Sequence, residues 1–214
     1  MKISYGITVH NEAEELNQLL EILVHHIDEE DEIVIVDDYS NEETQEVITS
    51  WVQQYADKRT LRVFQRKLGG DFAKHKNFVI EQSSGDYIFH IDADEYPNVI
   101  LIQQLKQILE INQVDLIWIP RINTVEGITQ AHLNTWGWKT TEQGWINYPD
   151  YQSRVFRNDE RIRWQRPVHE QITGCKTYSH IPPQEELSLY HPKTIHKQET
   201  QNQLYSAIAL DNYA

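Results

Sequence analysis

The chain has 214 residues, which is enough for one α/β domain with a substantial core or at most two small domains. Its 33 acidic and 19 basic residues give a formal net charge of -14 at pH 7, which argues against broad nucleic-acid binding and against adhesion to anionic lipid. A single cysteine, Cys175, excludes an internal disulfide framework, and no apolar run is long enough to predict a signal peptide or a membrane-spanning helix. We therefore expect a cytoplasmic protein.

The first half of the chain alternates strand and helix patterns. In chain order the spacing predicts a strand at Ile3–Val9, a helix at Glu12–His25, a strand at Glu32–Asp38, a helix capped by Ser40 or Asn41 and ending near Tyr55, a strand at Leu61–Gln65, a helix at Asp71–Gln82, a strand at Asp86–Ile91, a helix at Asn98–Ile111 and a strand at Asp115–Pro120. This alternation predicts a mostly parallel sheet with right-handed crossovers.

The pattern changes after Pro120. Aromatic residues crowd between Trp136 and Trp164, and short β-like runs appear in SRVFRN, VHEQI and LSLYH. The last stretch, Thr194–Tyr213, has helical spacing. We interpret this part of the chain as a second half-domain on the same sheet rather than as a separate domain.

Three polar clusters follow predicted strands. They are HNEAEE after the first strand, DDYSNEE after the second and DADE after the fourth. In a parallel sheet the ligand lies beyond the carboxyl ends of the strands. We therefore expect these clusters, which are far apart in sequence, to meet at one edge of the sheet.

The DADE cluster contains the carboxylates of Asp92, Asp94 and Glu95 within four residues. Carboxylates this close together repel one another unless a cation or a partner neutralises them. Oxygen ligands suit Mg²⁺ or Mn²⁺, which are often shared with substrate phosphates. For an isolated D-x-D motif, a solvated acidic turn at the end of a strand is the alternative interpretation.

Five ordered segments carry a resemblance to a known family. They are ITVHNEAEEL, IVIVDDYSNEETQEVI, FAKHKNFVIEQSSGDYI, GDYIFHIDADEYP and SRVFRNDERIRWQRPVHEQI. Together they resemble inverting family 2 glycosyltransferases, which have the GT-A fold, a mostly parallel Rossmann-like central sheet flanked by helices. The last segment is similar to a bacterial and viral branch that includes lipopolysaccharide core glucosyltransferase-like proteins. The resemblance covers the chain from about Ile3 to His191.

This resemblance implies a single GT-A domain of residues 1–214. Residues 1–120 would bind a nucleotide sugar and a metal, and residues 121–214, with a C-terminal helix, would bind the acceptor. The implied reaction moves a hexose from a nucleotide sugar, a UDP-sugar above all, to a hydroxyl of a glycan, lipid-linked or protein acceptor, in surface glycan or lipopolysaccharide synthesis. Mn²⁺ or Mg²⁺ would stabilise the departing diphosphate.

The resemblance also implies roles for residues of the first half. Those expected around the nucleotide are Thr8, His10, Asn11, Glu12, Asp37, Asp38, Lys76, Asn77, Asp92 and Ala93. Asp37 and Asp38 would hold the base or the ribose, with helix capping as the alternative, and Lys76 would face the nucleotide unless it is a surface lysine. Asp92 would approach the ribose or contact the metal through water. Asp94 would ligate the metal directly, and Glu95 would orient the acceptor or else support the residues that surround the metal.

An inverting transfer needs a base that takes the proton of the acceptor hydroxyl. The family often places a Glu-Asp pair there, whereas this chain has His169 and Glu170. We favour Glu170 as the base, with His169 as the runner-up. The alternative is that both are structural, with Glu170 bonded to a nearby arginine. Because GT-A enzymes often supply a late histidine to the metal, the resemblance implies the same for His191.

Two further groups have open roles. The arginines Arg154, Arg157, Arg161, Arg163 and Arg166 would bind the diphosphate or an anionic acceptor, or else pair with the abundant acidic residues. Trp136 and Trp138 would stack on an acceptor sugar ring, or else pack in the core.

Two other functions compete with a glycosyltransferase. A nucleotidyltransferase also uses carboxylates and Mg²⁺ on an α/β sheet, but it normally has a glycine-rich phosphate loop with a basic residue where this chain has HNEAEE. A non-catalytic domain that binds sugar nucleotides or glycans is the second alternative. It is less favoured because candidate donor-binding and base residues are all present.

Overall fold

The computed structural model of the protein describes residues 1–55 and 60–203. The elements are β1 (Ile3–Val9), α1 (Ala13–His26), β2 (Glu32–Asp37), α2 (Glu42–Tyr55), β3 (Thr60–Gln65), α3 (Phe72–Gln82), β4 (Tyr87–Asp92), β5 (Tyr96–Pro97), α4 (Val99–Asn112), β6 (Leu116–Glu126), α5 (Gln130–Trp136), β7 (Ile146–Arg157), β8 (Arg163–Gln165), β9 (Gln171–Thr173), β10 (Tyr178–His180), a 3₁₀ turn (Glu185–Leu187) and β11 (Leu189–Thr194). Residues 195–203 form a further helix, α6. The part of the predicted C-terminal helix beyond residue 203 lies outside the described residues.

One large sheet organises these elements. Its strand order is β3-β2-β1-β4-β7-β6-β11-β5, and β10 also pairs with β6. The strands β3, β2, β1 and β4 are parallel neighbours, whereas β7 runs antiparallel to both β4 and β6. β8 and β9 form a separate antiparallel hairpin. The mostly parallel α/β sheet predicted from the sequence is therefore confirmed.

The core lies between the sheet and the helices that cross over it. All six residues of β2 are buried, as expected for a central parallel strand covered on both faces. Helix α1 buries one stripe of leucines, Leu16, Leu19, Leu20 and Leu23, against the sheet. The Asn41 side chain accepts hydrogen bonds from the backbone N–H and the hydroxyl of Thr44. Asn41, one of the two residues predicted to cap α2, is therefore confirmed as a cap.

The fifth predicted strand is longer than expected, because β6 continues through Pro120 to Glu126. β10 pairs with β6 only as far as Trp118, and β11 joins only at Arg121. Pro120 lies between the part of β6 that pairs with β10 and the part that pairs with β11. The missing backbone N–H of Pro120 therefore removes no hydrogen bond to either strand. The segment VHEQI is also less extended than predicted: only Gln171–Thr173 forms a strand, and His169 has a φ of 54°.

The register of the parallel strands positions the polar clusters. Val9 is opposite Asp37 across β1 and β2, and Thr8 is opposite Asp92 across β1 and β4. All three clusters therefore meet at the carboxyl edge of the sheet, as predicted. Among the described residues, no helix has the length and apolar character needed to cross a membrane.

Candidate active site

A cavity of about 500 Å³ opens at this carboxyl edge. Its walls include ten of the residues singled out in the sequence: Thr8, His10, Glu12, Lys76, Asp38, Asp92, Asp94, Trp138, Glu170 and His191. The volume is within the usual range for a small-molecule site, which is roughly 300–1,000 Å³. Residues from both halves of the chain therefore share one cavity.

The two aspartates after β2 have different environments. Asp37 is buried, and its carboxylate accepts hydrogen bonds from the Ser40 backbone and from the side chains of Gln45 and Gln65. Asp38 lines the cavity and accepts a hydrogen bond of 2.8 Å from the backbone of Leu68. Of this predicted pair, Asp38 is the residue placed to meet a ligand, and Asp37 braces the loop.

The segment after β1 forms one wall of the site. His10 lies with its Nδ1 2.9 Å from the backbone oxygen of Asp38. Asn11, which has a φ of 56°, lies outside the cavity wall; its side-chain oxygen accepts a hydrogen bond from the Asn41 backbone. Asn11 thus holds the loops after β1 and β2 together.

Asp92 and Glu95 belong to a group that we term the inner cluster: Asp92, Glu95, Arg121 and Arg154. The Nη2 of Arg154 lies 2.5 Å from Asp92 Oδ2 and 2.6 Å from Glu95 Oε1, and Arg121 Nη1 lies 2.7 Å from Glu95 Oε1. Burial opposes ionisation, but Arg154 together with Lys76 near Asp92 and Arg121 near Glu95 outweighs it, so the pKa values of both carboxyl groups are lowered. Two carboxylates therefore match two guanidinium groups inside the protein.

Asp94 belongs to a different group, the outer cluster: Asp94, His191, Lys193 and Lys197. Its Oδ2 lies 3.4 Å from His191 Nε2, 3.6 Å from Lys193 Nζ and 3.5 Å from Lys197 Nζ. Burial would raise the pKa of Asp94, but these neighbours outweigh it and hold the pKa well below its usual value. Burial lowers the pKa values of His191 and Lys193. Asp94 is therefore an ionised carboxylate that faces three basic side chains.

Lys197 connects helix α6 to the start of α1. Its Nζ lies 3.3 Å from Glu12 Oε1 and 3.0 Å from Glu15 Oε1, in addition to its contact with Asp94. Burial and the charge of Asp94 raise the pKa of Glu12 to about 7, although Lys197 opposes this shift. Glu12 is thus a cavity carboxyl group that titrates near neutral pH.

Glu170 lies in the cavity wall with Lys76. Lys76 Nζ is 2.6 Å from Glu170 Oε1 and 3.4 Å from Asp92 Oδ1, and it also lies over the ring of Trp164 at 4.9 Å. Lys76 is buried, so it is not a surface lysine. Burial opposes ionisation of Glu170, but the Lys76 ammonium outweighs it and lowers the pKa of Glu170. His169 is exposed and does not line the cavity.

Three other predicted nucleotide or acceptor residues lie outside the cavity wall. The Asn77 side chain donates to the backbone oxygen of Trp164 and accepts from its backbone nitrogen, which joins α3 to β8. Ala93 is buried, and its N–H donates to the Thr8 backbone oxygen. Glu95 is enclosed in the inner cluster.

The two tryptophans are arranged as a pair. Trp138 lines the cavity, and its ring centroid is 4.7 Å from that of Trp136, which stacks on His132. Both rings are half-buried, so neither belongs to the core. This arrangement leaves stacking on a ligand as the favoured interpretation for Trp138.

The five arginines do not form one cationic cluster. Arg154 is in the inner cluster, Arg157 pairs with Asp115, and Arg161 pairs with Asp159. Arg163 donates to two backbone oxygens. Ion pairing with acidic residues, the alternative weighed for this group, therefore describes most of them.

The cavity wall also contains residues that were not assigned roles from the sequence: His75, Arg121, Asn123, Asp150 and Lys193. Arg121 and Asn123 alternate along β6, and strand alternation places both side chains on one face. The sequence did not reveal this alternation, because the predicted strand ends at Pro120 and Arg121 and Asn123 lie beyond it. Lys193 and Lys197 follow His191 closely in HPKTIHK, and their basic character was the available signal.

Asp94 and His191 are the residues that could hold a divalent cation. Within residues 1–55 and 60–203, no group of three or more His, Cys, Asp or Glu side chains could hold a metal unaided. Mg²⁺ commonly takes one or two protein carboxylates and completes its shell with substrate phosphates and water. A carboxylate facing an imidazole nitrogen therefore fits a cation that is shared with a diphosphate.

A known family matches most of this chain. The sequence profile described as Glycosyl transferase family 2 matches residues 4–182. The chain belongs to glycosyl transferase family 2. It is similar to the SPbeta prophage-derived glycosyltransferase SunS of Bacillus subtilis (strain 168), with 26% identity over 195 residues, which covers 88% of this chain and 39% of SunS.

A second relative of this family 2 glycosyltransferase is the poly(ribitol-phosphate) beta-N-acetylglucosaminyltransferase TarS of Staphylococcus aureus (strain Mu50 / ATCC 700699). The identity is 26% over 122 residues, which covers 56% of this chain and 21% of TarS. The chain therefore spans about two fifths of SunS and one fifth of TarS.

Solved structures confirm the predicted GT-A fold. The crystal structure of TarS residues 1–349 superimposes with a TM-score of 0.64 at 19% identity, covering 90% of this chain and 60% of that chain. The same TarS fragment in complex with UDP-GlcNAc also gives a TM-score of 0.64, at 20% identity, covering 90% of this chain and 59% of that one.

Proposed function

We propose that this glycosyltransferase moves a hexose or N-acetylhexosamine from a UDP-sugar to an acceptor hydroxyl, with inversion and with Mn²⁺ or Mg²⁺ as the cofactor. The observation that carries the proposal is that Asp38, Glu170 and three members of the outer cluster, Asp94, His191 and Lys193, border a single cavity. Asp38 is suited to bind a nucleoside, the outer-cluster residues are suited to a diphosphate, and Glu170 is suited to accept a proton. The binding of UDP-GlcNAc by TarS supports a UDP-linked donor.

In this proposal the nucleoside lies against Asp38 and His10, and the diphosphate lies at the outer cluster. Lys193 and Lys197 carry positive charge beside Asp94, and a diphosphate would accept charge-assisted hydrogen bonds from them. Asp94 and His191 would hold the cation, which neutralises charge on the leaving diphosphate when bound. The positive charges of the lysines and of the cation would both favour departure of UDP.

The transfer forms one bond and breaks one. The acceptor oxygen attacks the anomeric carbon, the bond from that carbon to the diphosphate oxygen breaks, and UDP leaves with the bonding electron pair. The acceptor proton passes to the Glu170 carboxylate, which the Lys76 ammonium keeps ionised before the reaction.

The acceptor would approach past Trp138, whose ring lines the cavity. Aromatic faces suit the C–H surface of a sugar ring, so we propose a glycan acceptor, free, lipid-linked or on a protein. Synthesis of a surface glycan, including lipopolysaccharide, is consistent with this acceptor. The single cysteine fits a reducing compartment, and we propose the cytoplasm as the location.

The test is a UDP-release assay with UDP-glucose, UDP-galactose, UDP-GlcNAc and GDP-mannose, each with Mn²⁺ or with EDTA. We expect turnover of a UDP-sugar that EDTA abolishes. Glu170→Gln should lower kcat by about 10²–10⁴-fold while UDP still raises the melting temperature. Glu160→Gln, at an exposed position of the same segment, is the matched control. Unchanged turnover in Glu170→Gln would contradict the assignment of the base.

A further inference from the structure

Three neighbouring strands bring an aspartate, an asparagine and a histidine into one hydrogen-bonded chain. His191 is opposite Asn123 across β11 and β6, and Asp150 is on β7, opposite Arg121. The Asn123 Nδ2 donates to Asp150 Oδ2 at 2.8 Å, and the Asn123 Oδ1 lies 2.7 Å from His191 Nδ1. The chain therefore runs from Asp150 through Asn123 to His191.

Asp150 fixes the orientation of the Asn123 amide. Arg121 donates to Asp150 Oδ2 from Nε at 3.0 Å and from Nη2 at 2.7 Å, and Gln152 donates to Oδ1 at 2.8 Å. A carboxylate held in this way only accepts hydrogen bonds. The Asn123 amide must therefore present its NH₂ group to Asp150 and its oxygen to His191, because the flipped amide would set two acceptors against each other.

This orientation determines which ring nitrogen of His191 carries hydrogen. The Asn123 oxygen accepts, so Nδ1 of His191 must be the donor. In a neutral imidazole the other nitrogen then has a free lone pair. That nitrogen, Nε2, lies 3.4 Å from Asp94 Oδ2, which Lys193 and Lys197 also approach at 3.6 and 3.5 Å, so the lone pair faces a carboxylate oxygen at a site suited to a cation. Metal-bound histidines commonly have their second nitrogen fixed by such a partner.

We propose that Asn123 and Asp150 are positioning residues that hold His191 in its Nδ1–H tautomer and so present Nε2 to a divalent cation beside Asp94. The role of the cation rests on the proposed function, whereas the tautomer belongs to the metal-free protein. Arg121 joins the hydrogen-bonded chain of Asp150, Asn123 and His191 to the inner cluster, because its Nη1 donates to Glu95 Oε1 at 2.7 Å. The inner cluster thereby supports the geometry of the outer one.

The tautomer is measured by two-bond ¹H–¹⁵N spectra of the ¹⁵N-histidine-labelled, metal-free protein at pH 8, with His191 assigned by the signals lost in His191→Gln. We expect Nδ1–H in the wild type. Asn123→Leu removes the acceptor and should shift the ring towards Nε2–H. Asn112→Leu, on α4 and away from the cavity, is the control. Circular dichroism and the melting temperature establish that each variant is folded.

The second readout is Mn²⁺ binding in the presence of UDP, followed by electron paramagnetic resonance. We expect the dissociation constant for Mn²⁺ to rise about 10–100-fold in Asn123→Leu and to be unchanged in Asn112→Leu. An Nε2–H or doubly protonated ring in the wild type would overturn the inference. So would an unchanged tautomer or an unchanged Mn²⁺ affinity in Asn123→Leu.

The two proposals fail in different ways. If the wild-type protein with UDP binds no Mn²⁺, the proposed function is wrong about the cation. The role proposed for Asn123 and Asp150 in presenting His191 to that cation is then wrong as well. If the wild type binds Mn²⁺ and Asn123→Leu binds it as tightly, only the inference about Asn123 and Asp150 is overturned.

Discussion

Asp92 and Asp94 stand two residues apart on one turn, but their surroundings are opposite in kind. Asp92 is in the inner cluster, where its charge and that of Glu95 are matched by Arg154 and Arg121 at 2.5–2.7 Å. Asp94 is in the outer cluster, where one carboxylate meets two lysines and a histidine at 3.4–3.6 Å. The inner contacts are short and join carboxylates to guanidinium groups, whereas the outer contacts are longer and join one carboxylate to three basic side chains.

This difference shows how one acidic motif serves two purposes. The short ion pairs of the inner cluster hold the turn and the strands β4, β6 and β7 together. A carboxylate with longer contacts to basic side chains is suited to exchange its partners when a diphosphate and a cation arrive. The predictions below test this division between support and binding.

The largest expected effect is on stability, from Arg154→Leu. The substitution leaves the buried Glu95 carboxylate and the half-buried Asp92 carboxylate without their shared partner, so we expect the free energy of unfolding to fall by about 3–5 kcal/mol. Urea denaturation measures this change. Arg161→Leu, whose guanidinium pairs with Asp159 at the surface, should leave the urea midpoint unchanged. Equal stabilities of Arg154→Leu and the wild type would show that the inner cluster is not a support.

A smaller effect is expected on donor binding, from Lys193→Ala in the outer cluster. Loss of a charge-assisted hydrogen bond to the diphosphate, worth about 1.5–3 kcal/mol, should weaken UDP binding about 10–100-fold in calorimetry. Lys74→Ala, an exposed lysine of α3 outside the cavity wall, should bind UDP as the wild type does. If Lys193→Ala also binds UDP normally, the diphosphate lies elsewhere.

The smallest effect concerns the pH dependence of stability through Glu12. The pKa of Glu12 is raised from 4.5 to about 7 in the folded protein, so its stabilising contribution is complete below pH 4.5 and is lost as the pH rises through 7. Glu12→Gln cannot ionise and should exceed the wild type by about 1–3 kcal/mol at pH 8 and match it near pH 4.

Chemical denaturation of metal-free protein at several pH values follows this difference. Glu21→Gln, on an exposed part of the same helix, should track the wild type throughout. Parallel stability curves for Glu12→Gln and the wild type would mean that neither burial nor the charge of Asp94 raises the pKa of Glu12.

The first half of the fold was predictable because its strands and helices have distinct hydrophobic periods. Parallel strands also carry their polar ends to one edge, so Thr8, Asp38, Asp92 and Asp94 could be grouped before their contacts were known. His191 could be grouped only through the family resemblance, since a single histidine has no periodic signal.

The partners of these residues could not be predicted in the same way. Arg154 meets Asp92 and Glu95 because β7 inserts antiparallel beside β4, a pairing between residues about 60 positions apart. Asp37 and Asn77 look like binding residues in sequence, yet each is used to hold neighbouring segments. Such roles depend on tertiary contacts that local patterns do not encode.

The central claim is that Asp94, and not Asp92, binds the cation that is shared with the diphosphate. Calorimetric titration of UDP with Mn²⁺ into Asp94→Asn and Asp92→Asn tests it most directly, with folding of both variants verified by circular dichroism. We expect Asp94→Asn to lose at least about 100-fold in Mn²⁺-dependent UDP affinity, while Asp92→Asn loses stability but binds UDP within about tenfold of the wild type. Wild-type affinity in Asp94→Asn would contradict the account.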